Sequence, residues 1–101
     1  MNKIIMTQKE RIISLCSGKP ISKLWVFGSA NTDRFSADSD IDFLVSFQDI
    51  DEIRYADEYF DLCDGLEQIF NRKIDLITDK SLSNPYFVKS ILDTRELIYE
   101  Q

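Results

Sequence analysis

The sequence contains no histidine. Ser-His-Asp and Cys-His nucleophilic catalysis and His-ligated zinc are therefore excluded. Any chemistry must run on carboxylates, lysine or arginine, hydroxyls and a bound cation. Cysteine is scarce: Cys16 and Cys63 lie far apart without CxxC spacing. Two such thiols make a poor disulfide framework, and both read as reduced residues in or near the core. Positive charge is in deficit, with 12 Lys and Arg against 18 Asp and Glu and a net charge of −6. The basic residues are scattered among acids, whereas a surface that grips a polynucleotide backbone carries a basic face. Stable binding of long nucleic acid is thus disfavoured, while a small phosphorylated ligand is not. No apolar run approaches the roughly 18 residues of a membrane span, and the start, MNKIIMTQKER, lacks the hydrophobic stretch of a signal peptide. The expectation is a cytoplasmic protein with no membrane association. No internal repeat, low-complexity segment or linker is present, and 101 residues suit one small domain spanning residues 1–101.

What is present is concentrated between Trp25 and Val45, WVFGSANTDRFSADSDIDFLV. An apolar run stops at Gly28-Ser29, ten residues follow, and Asp40-Ile41-Asp42 leads into a second apolar run. The first run, Ile21 to Phe27, is rich in strand formers and apolar toward its end on both faces, as in an interior strand. The second strand is expected over Asp40 to Phe47. Alternation places Asp40, Asp42 and Leu44 on one face and Ile41, Phe43 and Val45 on the other.

Around this centre the chain reads as three helices and a third strand. Thr7 to Ser17 is a helix, with Thr7 and Glu10 spaced as a capping box, Gly18 suited to the left-handed position after it and Pro20 blocking continuation. Asp51 to Phe70 is a long helix whose predicted core stripe is Ile53, Ala56, Tyr59, Phe60, Cys63, Leu66, Ile69 and Phe70, which leaves Tyr55 and Leu62 for an outer or partner-facing side. Lys73 to Thr78 is a strand with Ile74 and Leu76 on one face and Asp75 and Ile77 on the other. Asn84-Pro85 starts a last helix, Asn as N-cap and Pro at the first helical position, with Phe87, Val88, Ile91, Leu92, Arg95, Ile98 and Tyr99 along one side. The predicted fold is α/β of the α+β kind. In the order αβ(loop)βαβα, a small mixed sheet of about three strands is flanked by helices. The first two strands pair antiparallel and the third joins in parallel.

Three carboxylates stand out: Asp40, Asp42 and Asp75. If their strands are neighbours the three converge, and acids packed so closely stay ionised only with a cation among them. Hard oxygen ligands with open positions suit Mg²⁺, held by one or two carboxylates and by substrate phosphates. Gly28-Ser29 supplies a turn through which backbone and hydroxyl can approach a phosphate. Simpler readings stand beside these. A lone DxD is more often turn chemistry, Asp75 could be an edge-strand charge that discourages aggregation, and Asp38, Asp40 and Asp42 match the first EF-hand ligand positions. Phe43, where a calcium loop requires glycine, argues against the last.

Gly28-Ser29, ten residues and Asp40-x-Asp42, with LEQIFNRKIDLIT and NPYFVKSILDTRELIYE downstream, together resemble the polymerase β-like nucleotidyltransferases, in particular the minimal nucleotidyltransferase (MNT) group. The resemblance spans Ile21 to Tyr99. It implies a nucleotidyltransferase fold, Asp40, Asp42 and Asp75 as catalytic and metal-ligating residues, and Gly28 and Ser29 as binders of the nucleoside triphosphate. Asp75 would be general base or second metal ligand. Mg²⁺ is the implied cofactor, two ions with bound nucleotide. The implied reaction transfers a nucleoside monophosphate, AMP from ATP or another NTP, to a hydroxyl with release of pyrophosphate. The implied partner is a HEPN-type helical toxin, its tyrosine the acceptor and this chain its antitoxin. The alternative is a weak or inactive enzyme that neutralises its HEPN partner by contact. One segment departs from the family: Arg-Gly commonly follows the Gly-Ser pair, whereas here Ala30 to Phe35 contains no glycine and Arg34 is its only arginine. A chain of this length does not close around its acceptor, so a partner or a second copy of the chain, as a homo-oligomer, is expected to complete that site.

Overall fold

The structure, a computed structural model, describes residues 3–28 and 40–101. Two short helices open it, α1 (Lys3–Thr7) and α2 (Lys9–Cys16), followed by β1 (Ile21–Phe27) and β2 (Ile41–Phe47). Then come the long helix α3 (Glu52–Phe70), β3 (Ile74–Thr78), a 3-10 turn at Asp79–Ser81, α4 (Pro85–Thr94) and β4 (Glu96–Glu100). The sheet has the order β3-β2-β1-β4. β1 is antiparallel to both β2 and β4, and β3 is parallel to β2. The predicted antiparallel pair, the parallel third strand and the interior position of β1 are all present.

Two predicted helices differ. The first does not start at Thr7 with a capping box. It starts at Lys3 and breaks at Gln8, whose φ of −100° and ψ of 5° interrupt the run. The Thr7 hydroxyl donates back to the Lys3 carbonyl at 2.8 Å, so it is used inside α1 and does not cap α2. Burial explains the extra turn: Ile5 is fully enclosed in the core. The last helix does not run to Tyr99. Arg95 adopts an extended ψ of 142°, and the chain turns into β4, which covers the open edge of β1. An unpaired edge is a liability, and Leu97-Ile98-Tyr99 are strand formers that can remove it. The sheet therefore has four strands where about three were expected.

The sheet separates two apolar clusters. On one face Leu24, Val26, Ile41, Phe43, Val45, Ile74, Leu76 and Ile98 pack with Ile5, Ile12 and Cys16 from α1 and α2 and with Leu62 and Leu66 from α3. On the other face Phe27 and Leu44 pack with Ile91 of α4, flanked by Trp25, Ile77 and Leu82. The Arg95 guanidinium lies over the Trp25 ring, 4.9 Å from its centroid. Tyr59 of α3 donates to the Leu76 carbonyl at 2.6 Å and fastens the helix to the edge strand β3. Asp51 Oδ1 accepts from the Arg54 N–H at 2.8 Å, and Asn71 closes α3 in the left-handed region at φ 51°. The predicted cap on α4 is also formed: Asn84 Oδ1 accepts from the Tyr86 N–H at 2.9 Å, with Pro85 next.

The α3 stripe is rotated from its predicted phase. Leu62, expected outside, is fully buried, while Ile53 and Phe60, expected inside, are 80% and 63% exposed. Gly65 marks where α3 meets α2, since a Cβ there would lie 2.6 Å from Leu15 Cδ1. Gly→Ala in a helix interior ordinarily stabilises by about 1 kcal/mol. Here the Leu15 side chain must give way first, so Gly65→Ala is expected to gain nothing in urea denaturation. With Leu15→Val beside it, the helix gain of about 1 kcal/mol should reappear relative to Leu15→Val alone.

Candidate active site

The sheet topology brings two of the three aspartates side by side. β2 and β3 run parallel with Asp42 opposite Asp75, and Phe27, the last residue of β1, stands opposite Asp42 on its other side. Alternation turns both carboxylates to the α4 side, away from the main core. Asp40 lies one residue before β2, so the expected strand is shorter by one at this end. All three carboxylates therefore lie toward the same end of the sheet, where β1 ends and β2 and β3 begin, with only Asp42 and Asp75 directly side by side. Asp40 and Asp75 are exposed and Asp42 is half-buried.

Electrostatics single out Asp42. Burial first, then the charges of Asp75 and Asp40, push its carboxyl from 3.8 up to about 6. A site that raises one acid in this way lowers its energy by admitting a cation. Gly28 adds a steric feature. It sits at φ +71°, and a Cβ on it would lie 2.7 Å from Asp42 Oδ2. Glycine thus lets the Asp42 carboxylate approach the turn this closely. Gly28→Ala is expected to cost about 1–2 kcal/mol for the left-handed backbone and to push the Asp42 carboxylate aside. Combined with Asp42→Ala, only the backbone cost should remain, a non-additivity that a urea double-mutant cycle would read.

The donor set fits a hard divalent cation held by one or two carboxylates and completed by phosphate oxygens. It is not a closed cage: among the described residues no group of three acidic or thiol side chains is gathered closely enough to hold a metal ion. Ser29, predicted to bind nucleotide, lies outside the described residues, as do Arg34, Asp38 and the whole segment from Ala30 to Phe35. Sequence reasoning missed Thr94. Its hydroxyl accepts the Gly28 N–H at 3.1 Å across 66 residues of sequence. Nothing in the sequence signals it, because the contact exists only once α4 packs on the end of β1.

Neither cysteine competes for the chemistry. Burial pushes the Cys16 thiol up to about 12, and burial together with the neighbouring Glu67 carboxylate raises Cys63. A cavity of about 340 Å³ lined by Ile50, Glu52, Tyr55, Thr78, Lys80 and Ser81 lies at the other end of β2 and β3, away from the aspartates. Asp42 and Asp75 sit on the sheet face that packs against α4. Among the described residues no helix is long and apolar enough to cross a membrane.

A four-stranded mixed sheet in the order β3-β2-β1-β4, with helices packed on it, matches the nucleotidyltransferase fold. The family model described as "Polymerase beta, Nucleotidyltransferase" matches residues 10–101, and the chain belongs to that family. A relative in Methanocaldococcus jannaschii, named "Putative protein adenylyltransferase", is 42% identical over 81 residues, covering 78% of this chain and 76% of its own. Among solved structures, a chain of a toxin–antitoxin complex with AMP-PNP superposes with a TM-score of 0.70 at 21% identity, over 92% of this chain and 73% of that one. A chain of the complex of the tri-AMPylated Shewanella oneidensis HEPN toxin with MNT antitoxin gives 0.64 at 19% identity, over 95% and 72%. At these identities the solved structures show a shared fold.

Proposed function

We propose that this chain is a minimal nucleotidyltransferase that transfers AMP from ATP to a hydroxyl, a tyrosine of a HEPN-type toxin, and acts as that toxin's antitoxin. The observation that carries the reading is the cross-strand pair Asp42–Asp75 facing the Gly28 turn. The relative named for protein adenylylation and the fold shared with the toxin–antitoxin complexes support the acceptor and partner.

In this reading Asp42, with Asp40 and Asp75, would hold Mg²⁺ together with the nucleotide phosphates. The bound cation would supply charge neutralisation at the phosphates and at the leaving pyrophosphate. The chain's own contribution is positional. The Gly28 turn leaves room for the triphosphate against the Asp42 carboxylate. Asp75, exposed beside it, accepts the proton of the acceptor hydroxyl. The acceptor oxygen forms a bond to the α-phosphorus, and the bond from that phosphorus to the bridging oxygen breaks. Pyrophosphate carries away the electron pair.

The test is label transfer. The protein would be mixed with α-³²P-ATP, Mg²⁺ and a candidate HEPN-type partner protein. Label on the HEPN protein that is lost on its tyrosine-to-phenylalanine variants supports the reading, and no label sinks it. A second reading has its own observations: the described acids are not pre-gathered for a metal, and Ala30 to Phe35 lacks the family's Arg-Gly. In that case the chain neutralises its partner by contact. A tight unlabelled complex that still suppresses the partner's activity would favour it.

A further inference from the structure

We propose that Thr94 is a positioning residue for the nucleotide turn, holding the Gly28 peptide in the orientation the triphosphate requires. This inference rests on the reading of Gly28 as part of the nucleotide site.

A hydroxyl has one proton to give and lone pairs to receive. Thr94 gives its proton to the Ser90 carbonyl at 2.8 Å, one turn back along α4, and receives the Gly28 N–H at 3.1 Å. The direction of both bonds is therefore fixed, and each polarises the other. The anchor is itself well seated. Ile91 is buried against Phe27 and Leu44, and the Phe87 ring meets the Phe27 ring edge-on at 6.2 Å. Directly after Thr94 the chain enters β4, which pairs with β1. The strand that delivers Gly28 and the helix that ends at Thr94 are thus tied together on both sides of the contact.

What the bond fixes is the peptide between Phe27 and Gly28. Gly28 sits at φ +71° with no side chain to restrict it, and Asp42 Oδ2 lies only 2.7 Å from where a Cβ would be. A glycine turn left to itself samples many conformations. Tying its N–H inward selects one of them in advance, which is the usual route to tighter ligand binding without a new ligand contact. Thr94 touches no reacting atom, so its effect belongs in nucleotide affinity, with little in the rate of the bound complex.

The experiment compares Thr94→Val, which keeps the shape and loses the hydroxyl, with Thr94→Ser, which keeps the hydroxyl; Thr94→Ala replaces the valine variant if that fails to fold. Two quantities are read: hydrogen exchange of the Gly28 amide by NMR, and Mg·ATP affinity with the KM and kcat of transfer. In the valine variant the Gly28 amide should exchange faster. Mg·ATP should bind about five- to tenfold more weakly, the worth of one ordinary hydrogen bond, with kcat within about twofold. The serine variant should restore both. Faster exchange with unchanged affinity would overturn the inference, leaving a purely structural bond. Equal losses in the serine and valine variants would overturn it too, since the methyl would then matter and not the hydroxyl. A wild-type protein that binds no Mg·ATP would overturn the site reading itself, and this inference with it.

Discussion

Asp42→Asn is expected to abolish nucleotidyl transfer and at the same time to make the protein more stable at neutral pH. The activity loss follows from the proposed role: losing a carboxylate that holds the cation removes several kcal/mol of transition-state charge stabilisation, about a thousandfold or more in rate. The stability gain follows from the structure. The folded state raises the Asp42 carboxyl from 3.8 to about 6, by burial first and then by Asp75 and Asp40. The folded protein therefore binds this proton more tightly than the unfolded chain does. The group's contribution to stability is fullest below about pH 4 and is lost as pH rises through about 6. That difference is worth at most about 3 kcal/mol. Asp42 is only half-buried, and solvent screening reduces the net cost to about 1 kcal/mol. Asparagine removes the charge and with it the cost. The variant should melt about 4–8 °C above wild type at pH 8, and the difference should close by pH 4. Added Mg²⁺ should raise the wild-type melting temperature more than that of the variant. Equal melting temperatures at pH 8, or a gap that widens toward acid, would show that Asp42 carries no such burden.

The carboxylate cluster behind this prediction was partly legible in the sequence. Alternation alone put Asp42 and Asp75 on definite strand faces, and the parallel pairing of β2 and β3 then made them neighbours. The glycine-ended strand and the antiparallel return were legible too, because Ile21 to Phe27 and Ile41 to Phe47 are dense in strand formers. β4 was not. Ile91, Arg95, Ile98 and Tyr99 keep a helical spacing, and only the open edge of β1 converts the last of them into a strand. Thr94 was hidden for the same reason, since its partner is set by packing between segments 66 residues apart.

The phase of α3 gives the second large effect. Leu62→Ala is expected to cost about 3–5 kcal/mol, the range for emptying a fully enclosed leucine site, and to bring the protein close to unfolding, since domains of this kind hold only about 5–15 kcal/mol. Ile53→Ala on the same helix should change stability by no more than about 0.5 kcal/mol. The cause lies in the helix wheel. At about 100° per residue the predicted stripe, from Ile69 round to Ile53, covers about 200°, wider than one flat sheet can touch. The sheet takes the part centred on Leu66. Tyr55, Tyr59, Leu62, Cys63, Ile69 and Phe70 fall within it, and Ile53 and Phe60 are turned out to 80% and 63% exposure. Apolar periodicity finds the helix but does not say which edge of a broad stripe the core will use. That is decided by what faces it, here the layer of Ile41, Phe43, Val45, Ile74 and Leu76. Urea midpoints of the two alanine variants read the phase directly. If Ile53→Ala proved as costly as Leu62→Ala at low protein concentration, the helix would be seated in the phase its sequence suggests. If its cost appeared only as concentration rose, that stripe would be covered by a second copy of the chain.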